Sequence, residues 1–138
     1  MRAILFADGA SRGNPGPAGA GAYLLSEKGE VFAERSKYLG ETTNNVAEYH
    51  SLIMGLEEAI KQGITQLSIK MDSQLVVRQM LGEYRVKQAH LIPLYQKAQG
   101  LLSQLKSFSI EYIPRAQNHE ADRLANLALD YSAMNSSD

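Results

Sequence analysis

The segment Asn45-Val46-Ala47-Glu48-Tyr49-His50-Ser51-Leu52-Ile53-Met54-Gly55-Leu56-Glu57-Glu58-Ala59-Ile60-Lys61-Gln62 decides the fold, because there the hydrophobic period changes. Apolar residues fall at Val46, Tyr49, Ile53, Leu56 and Ile60, the steps of three and four that mark an amphipathic helix. Thr43, Asn44 or Asn45 can cap it, and Gly63 ends it. Before this helix the pattern is that of strands. Ile4 to Phe6 reads as a first strand rather than a signal peptide, and the Gly/Pro-rich stretch from Gly9 to Gly21, centred on Asn14-Pro15-Gly16-Pro17, reads as turn chemistry. Ala20 to Leu25 and Val31 to Leu39 read as two strands of a hairpin around Ser26–Glu30. After the helix come a strand at Gln66–Met71, a helix at Ser73–Leu81, a helix at Leu91–Leu105 with Pro93 in its first turn, a strand at Phe108–Ile113 and a helix at Asn118–Tyr131. The order is β-β-β-α-β-α-α-β-α. An α/β fold is expected: a mixed five-stranded sheet of three antiparallel strands with parallel additions, flanked by helices.

The chain's 138 residues suit one domain, expected over residues 1–132 with a flexible tail at 133–138. That length is too short for a two-lobed enzyme closing over a nucleotide. Hydrophobic residues make up 44%, which excludes a disordered chain, and no apolar run approaches the roughly 18 residues a bilayer span needs. There is no cysteine. A disulfide scaffold, a cysteine nucleophile and thiolate metal sites are therefore excluded, and a reducing, cytoplasmic setting is the expectation.

Four acids stand in unusual places. Asp8 ends an apolar strand, where an ordinary Asp-Gly turn would also explain it. Glu48 shares its helical line with Leu52, Gly55 and Ala59; the helix dipole explains its position along the helix but not its apolar face. Asp72 closes a strand and precedes a helix, as an N-cap would, but functional groups also gather at the carboxyl ends of strands in mixed sheets. Asp122 lies in the first turn of the last helix among Ala121, Leu124 and Ala125. Converging carboxylates either hold protons or bind cations, and oxygen-only ligands favour Mg²⁺ or Mn²⁺. Two such ions can activate a water and stabilise a leaving oxygen in phosphodiester hydrolysis. The charge count agrees: the formal net charge is −1, but setting aside four metal-bound acids leaves eleven acidic against fourteen basic side chains, a surface compatible with a phosphate backbone.

Four blocks, Asp8-Gly9-Ala10-Ser11-Arg12-Gly13-Asn14-Pro15-Gly16, Thr43-Asn44-Asn45-Val46-Ala47-Glu48, Asp72-Ser73-Gln74 and Asn118-His119-Glu120-Ala121-Asp122, resemble type 1 ribonuclease H in content and order. The resemblance covers roughly Met1 to Leu129. It implies a ribonuclease H-like fold and an endonuclease that cuts the RNA strand of RNA/DNA hybrids with two Mg²⁺ ions, or Mn²⁺, leaving 3′-hydroxyl and 5′-phosphate ends. It assigns metal binding and catalysis to Asp8, Glu48, Asp72 and Asp122, with Asp8 and Asp72 the most central. It assigns hybrid contacts to Ser11, Gly13, Asn14, Asn44, Asn45 and Gln74, and a DNA phosphate contact to Thr43. Amides suit this work because they donate and accept at once; turn and capping roles are the ordinary alternative.

Two departures from the family pattern stand out. The long basic protrusion after the second helix is absent, since Gly82-Glu83-Tyr84-Arg85-Val86-Lys87 runs almost directly into the next helix. Arg78, Arg85 and Lys87 are left as backbone-contact candidates. The loop histidine before the last acid is missing too, and Arg115 stands roughly in its region as an auxiliary site residue. Arg115 cannot shuttle protons near neutral pH. His119, His50 and His90 read as surface or structural residues. A non-catalytic nucleic-acid-binding module, or another phosphodiester-cleaving enzyme of the same superfold, is the competing reading. The expected partner is an RNA/DNA hybrid, with no membrane, and the expected state is a monomer.

Overall fold

The computed structural model describes residues 1–135. Its elements run β1 (Arg2–Ser11), β2 (Gly16–Ser26), β3 (Val31–Thr42), α1 (Asn44–Lys61), β4 (Gln66–Met71), α2 (Gln74–Met80), α3 (Ile92–Leu102), β5 (Ser107–Tyr112) and α4 (His119–Asn135), with single 3-10 turns at Ala89–Leu91 and Arg115–Gln117. The five strands form one sheet in the order β3-β2-β1-β4-β5. β1–β2 and β2–β3 are antiparallel; β1–β4 and β4–β5 are parallel. This is the mixed sheet expected from the element order. No helix among the described residues is long and apolar enough to cross a membrane.

Alternation builds the main core. Ala3, Leu5 and Ala7 of β1 are buried, as are Ala20, Ala22 and Leu24 of β2 and Leu67, Ile69 and Met71 of β4. They join Tyr49, Leu52, Leu56 and Ala59 of α1, then Val76, Met80, Leu91, Ala98 and Leu102, in one apolar cluster. Each large side chain buried there contributes about 1.5–3 kcal/mol. Thr43 is the cap of α1, its Oγ1 accepting from the Val46 N–H at 3.3 Å. Ser73 caps α2 in the same way.

Three expectations need correction. Gly9–Gly21 is not a long turn: strands claim all of it except residues 12–15, and Asp8 lies within β1, paired with Gly21. The small residues there answer to packing rather than to turning. A Cβ on Gly9 would stand 2.5 Å from the Ala47 carbonyl oxygen, and one on Gly21 would stand 2.6 Å from the Ala125 amide nitrogen. The backbones of α1 and α4 thus press directly on the sheet. Second, α3 ends at Leu102 rather than Leu105, because the Lys106 N–H must reach the Thr65 carbonyl (2.8 Å) to enter β5. Third, the boundary expected at 132 falls inside α4, which continues through Asn135; residues 136–138 of the expected tail lie outside the described residues. Only residues 81–88 separate α2 from the 3-10 turn before α3, so no protrusion is inserted there.

Candidate active site

β1 and β4 pair in parallel as far as Ala7 and Met71, then part. Asp8, still within β1, and Asp72, just past the end of β4, come next. β1 stays paired with β2 through Ser11, which holds Asp8 on a fixed backbone. Gly9 then lets α1 come close: a Cβ there would collide with the Ala47–Glu48 backbone. This is how a helix delivers Glu48 to a strand-borne aspartate. Oxygens of Asp8, Glu48 and Asp72 all lie within 4.8 Å of one another. Asp8 is 4% and Glu48 5% exposed.

Such crowding has an electrostatic consequence. Burial first, then the charges of Glu48 and Asp72, push the Asp8 carboxyl far above the usual carboxylate range. Burial, then Asp72, pushes Glu48 up as well, opposed by hydrogen bonds from Asp8 and the Gly9 backbone. Glu48 Oε2 has no hydrogen-bond partner at all among the described residues. Three close acids, two of them pushed up and one with a buried and unpartnered oxygen, make an oxygen-only donor set. That set suits a hard divalent cation, so the residues present fit Mg²⁺ or Mn²⁺.

Of the four expected acids, three form the close group and the fourth stands across the same cavity. Asp122 does not join the close group. It is half-buried on the first turn of α4, with Arg115 Nη2 3.7 Å from its Oδ1 and Asn126 Nδ2 donating to the same oxygen at 3.3 Å. All four acids nevertheless line one cavity of about 270 Å³, together with Arg115, Asn44 and residues 9–11. Arg115 is therefore brought to the site, highly exposed at its rim. His119 is exposed and borders an adjoining hollow with Arg115 and Asp122.

The expected substrate-contact residues divide by position. Ser11 and Asn44 line the cavity. Asn14 Oδ1 accepts from the Asn44 N–H at 3.0 Å, tying the turn at 12–15 to the start of α1. Gly13 bends that turn with φ +102°, a conformation that favours glycine. Gln74 is exposed at the first residue of α2, and Asn45 is half-buried in the first turn of α1. Arg78 lies over the Tyr84 ring at 5.4 Å and pairs with Glu83 at 3.2 Å.

Sequence reasoning missed Asn118 as a separate residue. It is fully buried, and its Nδ2 donates to Ala7 O (3.0 Å) and to Asp72 Oδ1 (3.1 Å). The available signal was an asparagine four residues before Asp122, which reads as an ordinary helix cap.

Comparison with known proteins agrees with this fold. Residues 6–128 match the family described as reverse transcriptase-like. The Bifunctional protein Rv2228c of Mycobacterium tuberculosis is 50% identical over 134 residues, 96% of this chain but 37% of that protein. This chain thus spans little more than a third of that relative's length. The solved N-terminal RNase H domain of the mycobacterial protein has a TM-score of 0.92, covering 94% of this chain and 100% of that one. RNase H1 of Halobacterium salinarum is 43% identical with a TM-score of 0.92, covering 95% of this chain and 99% of that one. LC11-RNase H1, solved in complex with an RNA/DNA hybrid, is 41% identical with a TM-score of 0.90, covering 95% and 99%. Likeness of this degree along nearly the whole chain means that the chain belongs to the type 1 ribonuclease H family.

Proposed function

We propose that this chain is an endonuclease that hydrolyses the RNA strand of RNA/DNA hybrids with two divalent cations, Mg²⁺ or Mn²⁺, leaving 3′-hydroxyl and 5′-phosphate ends. The observation that carries the reading is the approach of Asp8, Glu48 and Asp72, with the buried Glu48 Oε2 lacking a partner. A ligand set so short of compensating charge favours cations over an empty state. Asp122, across the same cavity, completes the set of four acids. When bound, the cations supply an activated water and neutralise charge on the leaving oxygen.

The protein's own groups bind and orient the duplex. Asn44 and Ser11 meet it at the cavity edge, and Asn14, bonded to the Asn44 N–H, and Asn45 and Gln74, in the first turns of α1 and α2, offer further amides to it. Amides serve 2′-hydroxyls and minor-groove edges without demanding a base sequence. Thr43, the cap of α1, marks a helix N-terminus where backbone N–H groups favour a phosphate of the DNA strand. Arg115 reaches the rim as a fixed positive charge, close to a scissile phosphate and unable to carry a proton. The proposal includes a monomer in a reducing, cytoplasmic setting.

Four labelled substrates test it: RNA/DNA hybrid, RNA duplex, DNA duplex and single-stranded RNA, each with Mg²⁺, Mn²⁺ or chelator. The expected result is metal-dependent cutting of the hybrid's RNA strand alone, lost in Asp72→Asn. Binding of the hybrid without cutting under any metal would instead support a binding module.

A further inference from the structure

One buried asparagine reaches three of the four segments that carry the acids. Asn118 is 0% exposed. Its Nδ2 donates to the carbonyl of Ala7, the residue before Asp8, and to Oδ1 of Asp72. Its backbone carbonyl accepts from the Asp122 N–H at 3.1 Å. The contact lies where the β1–β4 ladder ends, so no strand pairing fixes the spacing of Asp8 and Asp72 beyond that point. Asn118 replaces the missing rung. Its Oδ1 makes no hydrogen bond among the described residues, so the side chain does not cap α4 with that oxygen. A residue kept for helix capping would use its oxygen; this one spends its two donors on the site.

We propose that Asn118 is a positioning residue. By donating to Asp72 Oδ1 it fixes the rotation of that carboxylate and holds it beside Asp8. This inference rests on the reading of the acid group as a cation site. Groups of this kind behind metal ligands typically change metal affinity or activity about 10–100-fold when removed.

The test compares wild type, Asn118→Asp and Asn118→Ala, all as the full chain. Asn118→Asp keeps the shape but replaces a donor with an acceptor facing Asp72. Mg²⁺ binding is measured by calorimetry without nucleic acid, with kcat and KM on the hybrid measured separately and thermal unfolding as the folding control. Expected are Mg²⁺ affinity weakened about 10–100-fold in both variants, a loss in kcat at saturating hybrid, and an unchanged KM. In the wild-type chain, the Asn118 side-chain NH₂ signals in an NMR titration should move with Mg²⁺ along the same isotherm. That readout needs no variant to fold, and a merely space-filling asparagine would not show it. The proposal is overturned if the NH₂ signals stay put, or if a folded Asn118→Asp binds Mg²⁺ as wild type does. A wild-type chain that binds no Mg²⁺ overturns the cation reading and this inference with it, whereas Mg²⁺ binding lost in Asp72→Asn but kept in both Asn118 variants overturns this inference alone.

Discussion

Asp8→Asn is expected to make the metal-free protein more stable while removing its activity. Asp8 is buried beside Glu48 and Asp72, and its folded pKa lies far above the unfolded value. A group shifted in that direction is harmless below its unfolded pKa and destabilises progressively as pH rises towards its folded pKa. At pH 7 the carboxyl is neutral in the fold and ionised in the unfolded chain. The cost is about 1.4 kcal/mol for each unit between pH 7 and an unfolded pKa near 3.9, about 4 kcal/mol as a ceiling. Asparagine has nearly the same shape and no proton to hold. Because Glu48 shares the burden, the expected gain at pH 7 is about 2–4 kcal/mol, shrinking to about 1 kcal/mol at pH 5. Urea unfolding with chelator, followed by circular dichroism at both pH values, measures it. A gain that does not change with pH, or a loss of stability at pH 7, would refute the electrostatic account. Saturating Mg²⁺ should stabilise wild type more at pH 8 than at pH 5, because the ligands must shed their protons to bind.

Three other outcomes follow from the packing and ion pairs. Gly9→Ala forces a Cβ into the Ala47–Glu48 backbone and should cost about 1–3 kcal/mol in urea unfolding, whereas Gly100→Ala on α3, with open space around it, should add about 0.5–1 kcal/mol. Gln62, then Arg35 at 2.7 Å, holds the Glu58 carboxyl below the usual range. This stability is present above the unfolded pKa and lost as pH falls through the folded one, so Glu58→Gln should cost about 1 kcal/mol at pH 7 and nothing at about pH 2. Arg115→Ala, losing the guanidinium beside Asp122, should lower kcat on the hybrid roughly 10-fold, while Arg115→Lys keeps part of the rate; equal rates in all three would remove Arg115 from the site.

The helix at α1 was legible because its apolar steps declare a face, and that same face betrayed Glu48. The mix of antiparallel and parallel strands followed from hairpin signals and from the helical segment between β4 and β5. β1 and β2 were cut short for a tertiary reason: Gly9, Gly19 and Gly21 are small because helix backbones lie on them, and a sequence shows a glycine without showing its neighbour. The site was legible as residue types and less so as distances. Periodicity could aim Asp122 towards the other acids, but it could not reveal that Arg115 and Asn126 are its partners. Asn118 was hidden for a similar reason, since its partners are 111 and 46 residues away in the chain.

From Asp8 to Ser11, β1 has β2 on one side and no strand on the other. Half of that segment's peptide groups are therefore turned away from β2, beside the cavity that residues 9–11 line. Main-chain groups are common to every residue except proline. A surface built from them withstands mutational drift: Ala10 and Ser11 can change in kind without erasing it, while Gly9, pressed by α1, cannot. The cavity's lining is thereby divided between four acidic side chains and a stretch of main chain whose hydrogen-bonding groups do not depend on the side chains of Ala10 and Ser11.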